Sequence, residues 1–300
     1  MQRRDFLKTS VGVATGLVFL PKDAFLFEQS NPPDLVVTQD GTPTELVRKA
    51  LEELGGMSRF VGRGDVVVLK PNISWDRIPE QAATTNPEVV AEVVRLCFEA
   101  GAKKVKIFDR TLNESRRCYK RSGIEKAAKD VGADVYHVYD RKFKTVSFPE
   151  GELIKSWKLY ADVLEADRII NLPVAKHHSL SSVSLGIKNL MGYLGGNRGK
   201  FHRQFNVKII DLSTRIKPDL VVLDAYRMLI RNGPSGGNPA DVVLKKTVVA
   251  GRDPVAVDSL GSTLFDLDPE RLSFLKEAHQ RGLGEIDLSK LTIKTFSLAT

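Results

Sequence analysis

The sequence predicts an α/β protein, a mainly parallel sheet flanked by helices, built as one large domain with insertions over residues 31–300. Three observations carry this expectation. Asp65-Val66-Val67-Val68-Leu69-Lys70 is a continuous run of the kind a strand buried on both faces requires, and it stops abruptly at Pro71-Asn72. Strand-like runs ending in polar tips then alternate with helix-like segments, which is the rhythm of βαβ units. The 300 residues are 42% hydrophobic and 27% charged, ample apolar material for such a core and too much for a disordered chain.

The elements follow in order. Residues 35–37 predict a first strand and residues 44–54 a helix behind Thr42-Pro43, closed by Gly55-Gly56. After the strand at 65–70, a polar loop over 73–85 carrying Trp75, Asp76 and Arg77 leads into a helix over 87–100. Asn86 is its expected N-cap, and proline stands at the first helical position. A strand over 105–108 ends in Asp109-Arg110. A helical region over 114–131, interrupted at Ser122-Gly123, precedes a strand over 135–138. Residues 143–148 and 154–159 read as a hairpin or edge strands, residues 160–165 as a short helix, and residues 168–172 as a strand. Helical apolar spacing recurs over 182–194 at Val183, Ile187, Leu190 and Met191. Beyond it come a helix over 206–216, a strand over 220–223 ending in Asp224, and a loop over 232–239 too rich in Gly and Pro for any regular element. A strand over 247–250, a helix over 255–265 capped by Asp253, a helix over 270–280 and a strand over 291–295 finish the chain.

Charge and cysteine usage narrow the partners. The formal net charge is +8, but basic residues are interleaved with acids and form no recognition motif, so no nucleic-acid partner is expected. Two cysteines, Cys97 and Cys118, cannot supply an iron–sulfur cluster or a Cys-rich zinc site. A disulfide between them stays open at this stage. At the N-terminus, Arg3-Arg4-Asp5-Phe6-Leu7-Lys8 precedes an uncharged run over 9–20 and then Pro21, which looks like a twin-arginine export signal. The run falls short of the roughly 20 residues of an ordinary membrane span, so no stable span beyond the signal is expected. Residues 1–30 are therefore assigned to signal and linker, with the translocation machinery as partner and a periplasmic or extracytoplasmic location. Cleavage near residues 24–30 and retention as an anchor both stay open. The twin-arginine route carries folded, often cofactor-loaded proteins, which hints at a cofactor.

Ligands of open α/β sheets bind beyond the carboxyl ends of the strands. Lys70, Asn72, Asp109, Arg110, Lys176, His177, His178, Asp224 and Asp253 all follow predicted strands, so they are expected to face one cleft. The densest chemistry lies over residues 171–211, which hold three of the five histidines. Lys188 and Asn189 stand there beside a glycine cluster, and a desolvated Lys188 would serve as nucleophile, base or cofactor tether. His178 and His202 are candidate catalytic groups and candidate ligands of a divalent transition metal, with Asp211 or Asp224 as the acid, although their spacing matches no short zinc motif. The glycine-rich segments GGNRGK and GPSGGNP bring Gly196, Arg198, Gly233, Ser235 and Gly236 forward as binders of a small anionic ligand or cofactor; neither has the Walker A pattern.

At these residues the chain resembles the domain-of-unknown-function family DUF362. The likeness rests on LKPN at 69–72, TNPEVVAEVVRLCFEAGAKKVKIFD at 85–109, NLPVAKHH with GIKNLMG, His202, the GPSGG loop, and AGRDPVAVD at 250–258. It spans roughly residues 35–265. Many relatives carry ferredoxin-like cysteine clusters and this sequence has none, which argues against an electron-transfer role. The resemblance implies no assigned activity. A more distant analogy is to nickel-pincer lactate racemases, whose order of histidine, lysine and histidine is similar to His178, Lys188 and His202. The expected function is an exported enzyme using a metal or anionic cofactor at the strand ends. The alternative is a non-catalytic periplasmic binding or cofactor-maturation protein that holds an anionic ligand.

Overall fold

The apolar run after Asp65 forms a central strand between two parallel neighbours, as its composition requires. The structure is a computed structural model and describes residues 31–299. The expected export leader at residues 1–30 lies outside the described residues.

In chain order, β1 (Leu35–Gln39), α1 (Pro43–Glu53), β2 (Val66–Pro71), α2 (Pro87–Glu99), β3 (Lys104–Ile107), α3 (Ser115–Arg121), α4 (Ile124–Asp130) and β4 (Asp134–Val135) come first. A separate antiparallel pair follows, β5 (Phe143–Ser147) and β6 (Ser156–Tyr160). Next are α5 (Ala161–Leu164), β7 (Arg168–Leu172), β8 (Val174–His178), β9 (Ser182–Ser184), α6 (Gly186–Asn189), α7 (Arg198–Phe201) and α8 (Phe205–Arg215). The chain closes with β10 (Leu220–Leu229), β11 (Val242–Gly251), α9 (Pro254–Thr263), α10 (Ser273–Gln280) and β12 (Ile293–Ser297).

The main sheet has the order β12-β1-β11-β10-β7-β2-β3-β4, with β8 on β10 and β9 on β8. It is mixed and mostly parallel: among the described residues only its β1–β11, β10–β11 and β8–β9 pairs run antiparallel. Each face of the sheet has its own apolar cluster. One gathers Leu46, Leu51, Val90, Val94 and Tyr119 from α1, α2 and α3. The other gathers Ile209, Leu212, Val257 and Leu275 from α8, α9 and α10. The two caps expected from the sequence, Asn86 and Asp253, form, and a third joins them on α1. Thr42 and Glu45 form a capping box on α1, Asn86 caps α2 ahead of Pro87, and Asp253 caps α9 through the Val255 and Ala256 amides.

Four expectations need correction. First, β10 does not stop before Asp224 but runs on to Leu229, pairing with the largely exposed N-terminal half of β11, so Asp224 is a mid-strand residue rather than a tip. Second, residues 182–184 are not helical: they pair antiparallel with Lys176–His178 as β9. The helix begins only at Gly186, where the buried Asp258 carboxylate accepts the Gly186 and Ile187 amides at 2.6 and 2.8 Å. Third, the strand expected over 135–138 is the two-residue edge β4, held by β3 alone. Fourth, Cys97 and Cys118 are both buried free thiols, so the disulfide left open does not form.

Candidate functional site

Three strand ends and the α6 turn bring the site together. β2 ends in Lys70 and Pro71, with Asn72 following, β3 is followed by Asp109, and β8 carries Lys176 and His178. Asn189 of α6 ties them into one buried network. Its Oδ1 accepts from Lys70 Nζ (3.1 Å) and Asn72 Nδ2 (3.2 Å), while its Nδ2 donates to the Lys70 carbonyl (3.0 Å) and Asn171 Oδ1 (2.8 Å). Lys70 also lies 3.1 Å from Asp109 Oδ1, and the other Asp109 oxygen accepts the Ile73 amide at 2.7 Å. Gly192 passes directly over this ion pair: a Cβ there would stand 1.9 Å from Asp109 Oδ1 and 2.4 Å from Lys70 Cε. Only glycine fits.

In front of the network lies a cavity of about 80 Å³. Its wall includes Asn72, Ser74, Trp75, Lys176, His178, Ser184, Lys188, Asn189, Arg198, His202 and Pro234. The three side chains singled out in the sequence, His178, Lys188 and His202, thus converge. Larger depressions of about 790 and 420 Å³ lie elsewhere. The first is a groove beside α2 and α4 lined by lysines and glutamates of ordinary surface kind, and neither gathers a cluster of buried, perturbed groups as this cavity does, so chemistry rather than size picks out the site.

Charge inside the cavity is one-sided. Lys176, Lys188 and Arg198 line it, and no carboxylate does among the described residues. Lys176 Nζ bonds the Ala83 carbonyl and Asn72 Oδ1, and Arg198 bonds the Arg110 and Thr111 carbonyls, so both side chains are held by neutral oxygens. Burial pushes Lys176 well below the usual lysine range, with Lys188 adding to it, and pushes Arg198 downward. Burial and then Arg198 bring Lys188 down to about 7.

Hydrogen bonding at His178 gives the same picture by a separate route. The Leu180 N–H donates to His178 Nδ1 at 3.0 Å, so that nitrogen carries a lone pair. A neutral imidazole then bears its proton on Nε2, which faces Lys188 Nζ at 2.8 Å. For this contact to be a hydrogen bond, Lys188 must accept and is therefore the free amine. His178 itself is held neutral by burial and then by Lys188 and Lys176, its pKa lowered to about 3. Lys188 also stands 5.5 Å from the centre of the Phe205 ring, a contact that favours the ammonium by only about 0.5–2 kcal/mol, less than desolvation takes away. His202 is in the complementary tautomer: its Nδ1 donates to the Arg198 carbonyl at 3.0 Å, which leaves Nε2 as the basic nitrogen.

Other expected ligands stand apart. Both Asp224 oxygens accept backbone amides, from Asn86 and Tyr226, and burial pushes its carboxyl up to about 6. Asp211 serves the amides of residues 152–154 and Arg281. Among the described residues no three His, Cys, Asp or Glu side chains are grouped to hold a metal ion. Two imidazoles, one with both nitrogens engaged, fall short of the three or four protein ligands of a zinc-type centre. The site as arranged does not fit a metal, and Asp224 is not its acid.

The glycine loops are also placed differently from expectation. Gly196, Gly233, Ser235 and Gly236 lie outside the cavity lining. The Gly233 amide donates to His177 Nδ1, and the Gly196 and Gly236 carbonyls accept from Arg110 and Arg77, so these loops are tied inward as props rather than open as an anion nest. What they contribute to the wall is Arg198 and Pro234. Sequence reasoning underrated Lys176, Asp109 and Gly192 and missed Asp258 as the residue that sets where α6 begins. The available signals were the segment 85–109 for Asp109, NLPVAKHH for Lys176, GIKNLMG for Gly192 and AGRDPVAVD for Asp258, read as motifs without roles.

The family model for the domain of unknown function DUF362 matches residues 67–263, which contain every residue of this network. The chain belongs to the DUF362 family. A curated relative, a thylakoid-associated protein of Synechocystis sp., is 29% identical over 246 residues, covering 79% of this chain and 74% of that protein. Among solved structures, this DUF362 chain is similar to the lactate racemase apoprotein of Thermoanaerobacterium thermosaccharolyticum, at a TM-score of 0.47 and 12% identity over 74% of this chain. It is also similar to a Thermotoga maritima protein, at a TM-score of 0.43 and 12% identity over 76% of this chain. The chain spans 55% and 60% of the length of these two structures.

Proposed function

We propose that this DUF362 protein binds a small anion, substrate or cofactor, at the strand ends and acts on it with Lys188, His178 and His202 as its acid–base and nucleophilic groups. One observation carries the reading: the cavity wall holds Lys176, Lys188 and Arg198 and, among the described residues, no carboxylate. Arg198, held only by neutral carbonyls, is a fixed buried positive charge, and Lys176 and Lys188, which burial biases toward the free amine, each gain a proton more readily beside an entering anion, so the cavity favours a negatively charged ligand. A cavity of about 80 Å³ suits a ligand of a few heavy atoms. Enzymatic action is favoured over simple holding because a passive anion clamp needs fixed charge, whereas Lys188 is set up as a free amine against His178.

The Arg3-Arg4 leader supports export by the twin-arginine machinery, so the reaction belongs outside the cytoplasm in this reading. Among the described residues no helix is long and apolar enough to cross a membrane. A thermal-shift panel of small anions, with oxalate and sulfate against a neutral diol of similar size, tests the reading. Saturable stabilisation by one or more anions and none by the diol is expected. No anion-dependent shift at low ionic strength would remove the reading.

A further inference from the structure

We infer that Lys188 is a carbonyl-reactive amine and that the cavity takes a small oxo-acid, held as an imine on Lys188 Nζ. This rests on the anion reading above and names the class of anion.

The first ground is the hydrogen-bond pattern. Because Leu180 N–H occupies His178 Nδ1, the only proton His178 can offer Lys188 is on Nε2, and Nζ must meet it with its lone pair. A lone pair is what attacks a carbonyl carbon. The second ground is what surrounds Lys188 compared with the two fully buried lysines nearby. Lys70 is paired with Asp109, which favours an ammonium, and Lys176 Nζ is taken up by the Ala83 carbonyl and Asn72 Oδ1. Lys188 has a histidine and an aromatic ring instead.

The third ground is the division of labour across the cavity. Arg198 faces it as a cation and would hold a carboxylate, with Lys176 as a second donor, while Trp75, Met191 and Pro234 give an apolar wall for the carbon chain. His202 lines the same cavity with Nε2 unprotonated, the position from which a proton can be taken up and returned. A simple anion would use the cations alone. Placing a free amine among them makes sense for a ligand with both a negative end and an electrophilic carbon.

The step balances without an outside reagent. Nζ attacks the carbonyl carbon, a C–N bond forms, and the C=O π electrons move to oxygen. His202 Nε2 takes a proton from nitrogen and gives it to that oxygen, yielding the carbinolamine. The second Nζ proton is carried by the same imidazole to the hydroxyl, the C–O bond breaks with departure of water, and the nitrogen lone pair closes C=N. Amine plus carbonyl gives imine plus water, with nothing oxidised or reduced.

The test is reductive trapping on the purified chain with glyoxylate as the probe and cyanoborohydride as the reductant, followed by peptide mapping. Lys188 is expected to be modified roughly tenfold or more ahead of any exposed lysine. Excess oxalate, which carries the negative charges but no carbonyl able to form a reducible imine, is expected to suppress it. Lys188→Arg should abolish the site-specific adduct, and should that variant not fold, the wild-type peptide map decides alone. If oxalate shifts the melting temperature yet Lys188 stays unlabelled, or if labelling is spread evenly over exposed lysines, the imine is overturned while the anion reading stands. If neither oxalate nor glyoxylate shifts it and no adduct forms on Lys188, the anion reading itself fails and takes the imine with it.

Discussion

Lys188 Nζ lies 2.8 Å from His178 Nε2, with no carboxylate lining the cavity around them among the described residues. Two basic groups brought this close inside a protein cannot both be charged, and the Leu180 amide on Nδ1 decides that the shared proton sits on the imidazole.

Stability should therefore depend on Lys188 in one direction. Its folded pKa is depressed from 10.5 to about 7, so between those values the unfolded chain binds the extra proton and stability rises with pH. Burying this group is a penalty that is full below about pH 7 and gone near 10.5. Lys188→Met should stabilise the protein at pH 7, on the order of 1–3 kcal/mol, and the advantage should shrink as the pH approaches 10. Paired thermal melts across that range are the check. A destabilised variant at pH 7, or an advantage that does not vary with pH, would count against a neutral buried Lys188.

His178 gives the acid-side counterpart. Its pKa falls from 6.5 to about 3 in the folded protein, so the unfolded chain takes up a proton that the folded one does not as the pH drops from 6.5 to 3. Stability is lost over that window. His178→Asn keeps an acceptor for the Leu180 amide and removes the titration. Denaturant melts from pH 7 to pH 4 should show a shallower decline for the variant. Parallel slopes would mean that His178 is charged in the folded state.

Gly192→Ala should be among the most damaging single-methyl additions in the protein. The new Cβ would meet Asp109 Oδ1 and Lys70 Cε at 1.9 and 2.4 Å, both at a buried ion pair that cannot move aside without losing partners. A loss of about 2–4 kcal/mol is expected, together with loss of anion binding. Urea unfolding of the variant measures it, and a change below 1 kcal/mol would show that the pair yields easily.

The leader makes a cellular prediction. Replacing Arg3 and Arg4 together by lysine should hold the chain in the cytoplasm of a host with a twin-arginine system, whereas the parent is exported. Fractionation followed by immunoblotting reads this directly. Equal export of both forms would reassign residues 1–30.

Much of the site was legible because it lies where the strand rule puts it. Lys70, Asn72, His178, Lys188, Asn189, Arg198 and His202 were singled out from polar residues after apolar runs and from one dense segment, and they converge. The misjudged residues share a cause. Asp224 looked like a tip because the apolar run ends there, but strand pairing continued it through Tyr226 and Arg227 against a half-exposed partner, a pairing no local pattern announces. Glycine loops looked like anion nests because composition cannot say where an amide points, and the Gly233 amide points at His177. Asp109 with Gly192, and Asp258 with Gly186, are contacts between distant segments set by packing alone.

Titration calorimetry of oxalate into the purified chain at pH 8, repeated in buffers of different ionisation heat, tests the central claim most directly. A neutral Lys188 in a cationic cavity should take up a proton when the anion binds, so the observed heat should vary with the buffer. Arg198→Met should weaken binding about tenfold or more. One site per chain with proton uptake, sensitive to Arg198, is the predicted result. Absence of saturable binding, or binding that survives Arg198→Met unchanged, would contradict the account.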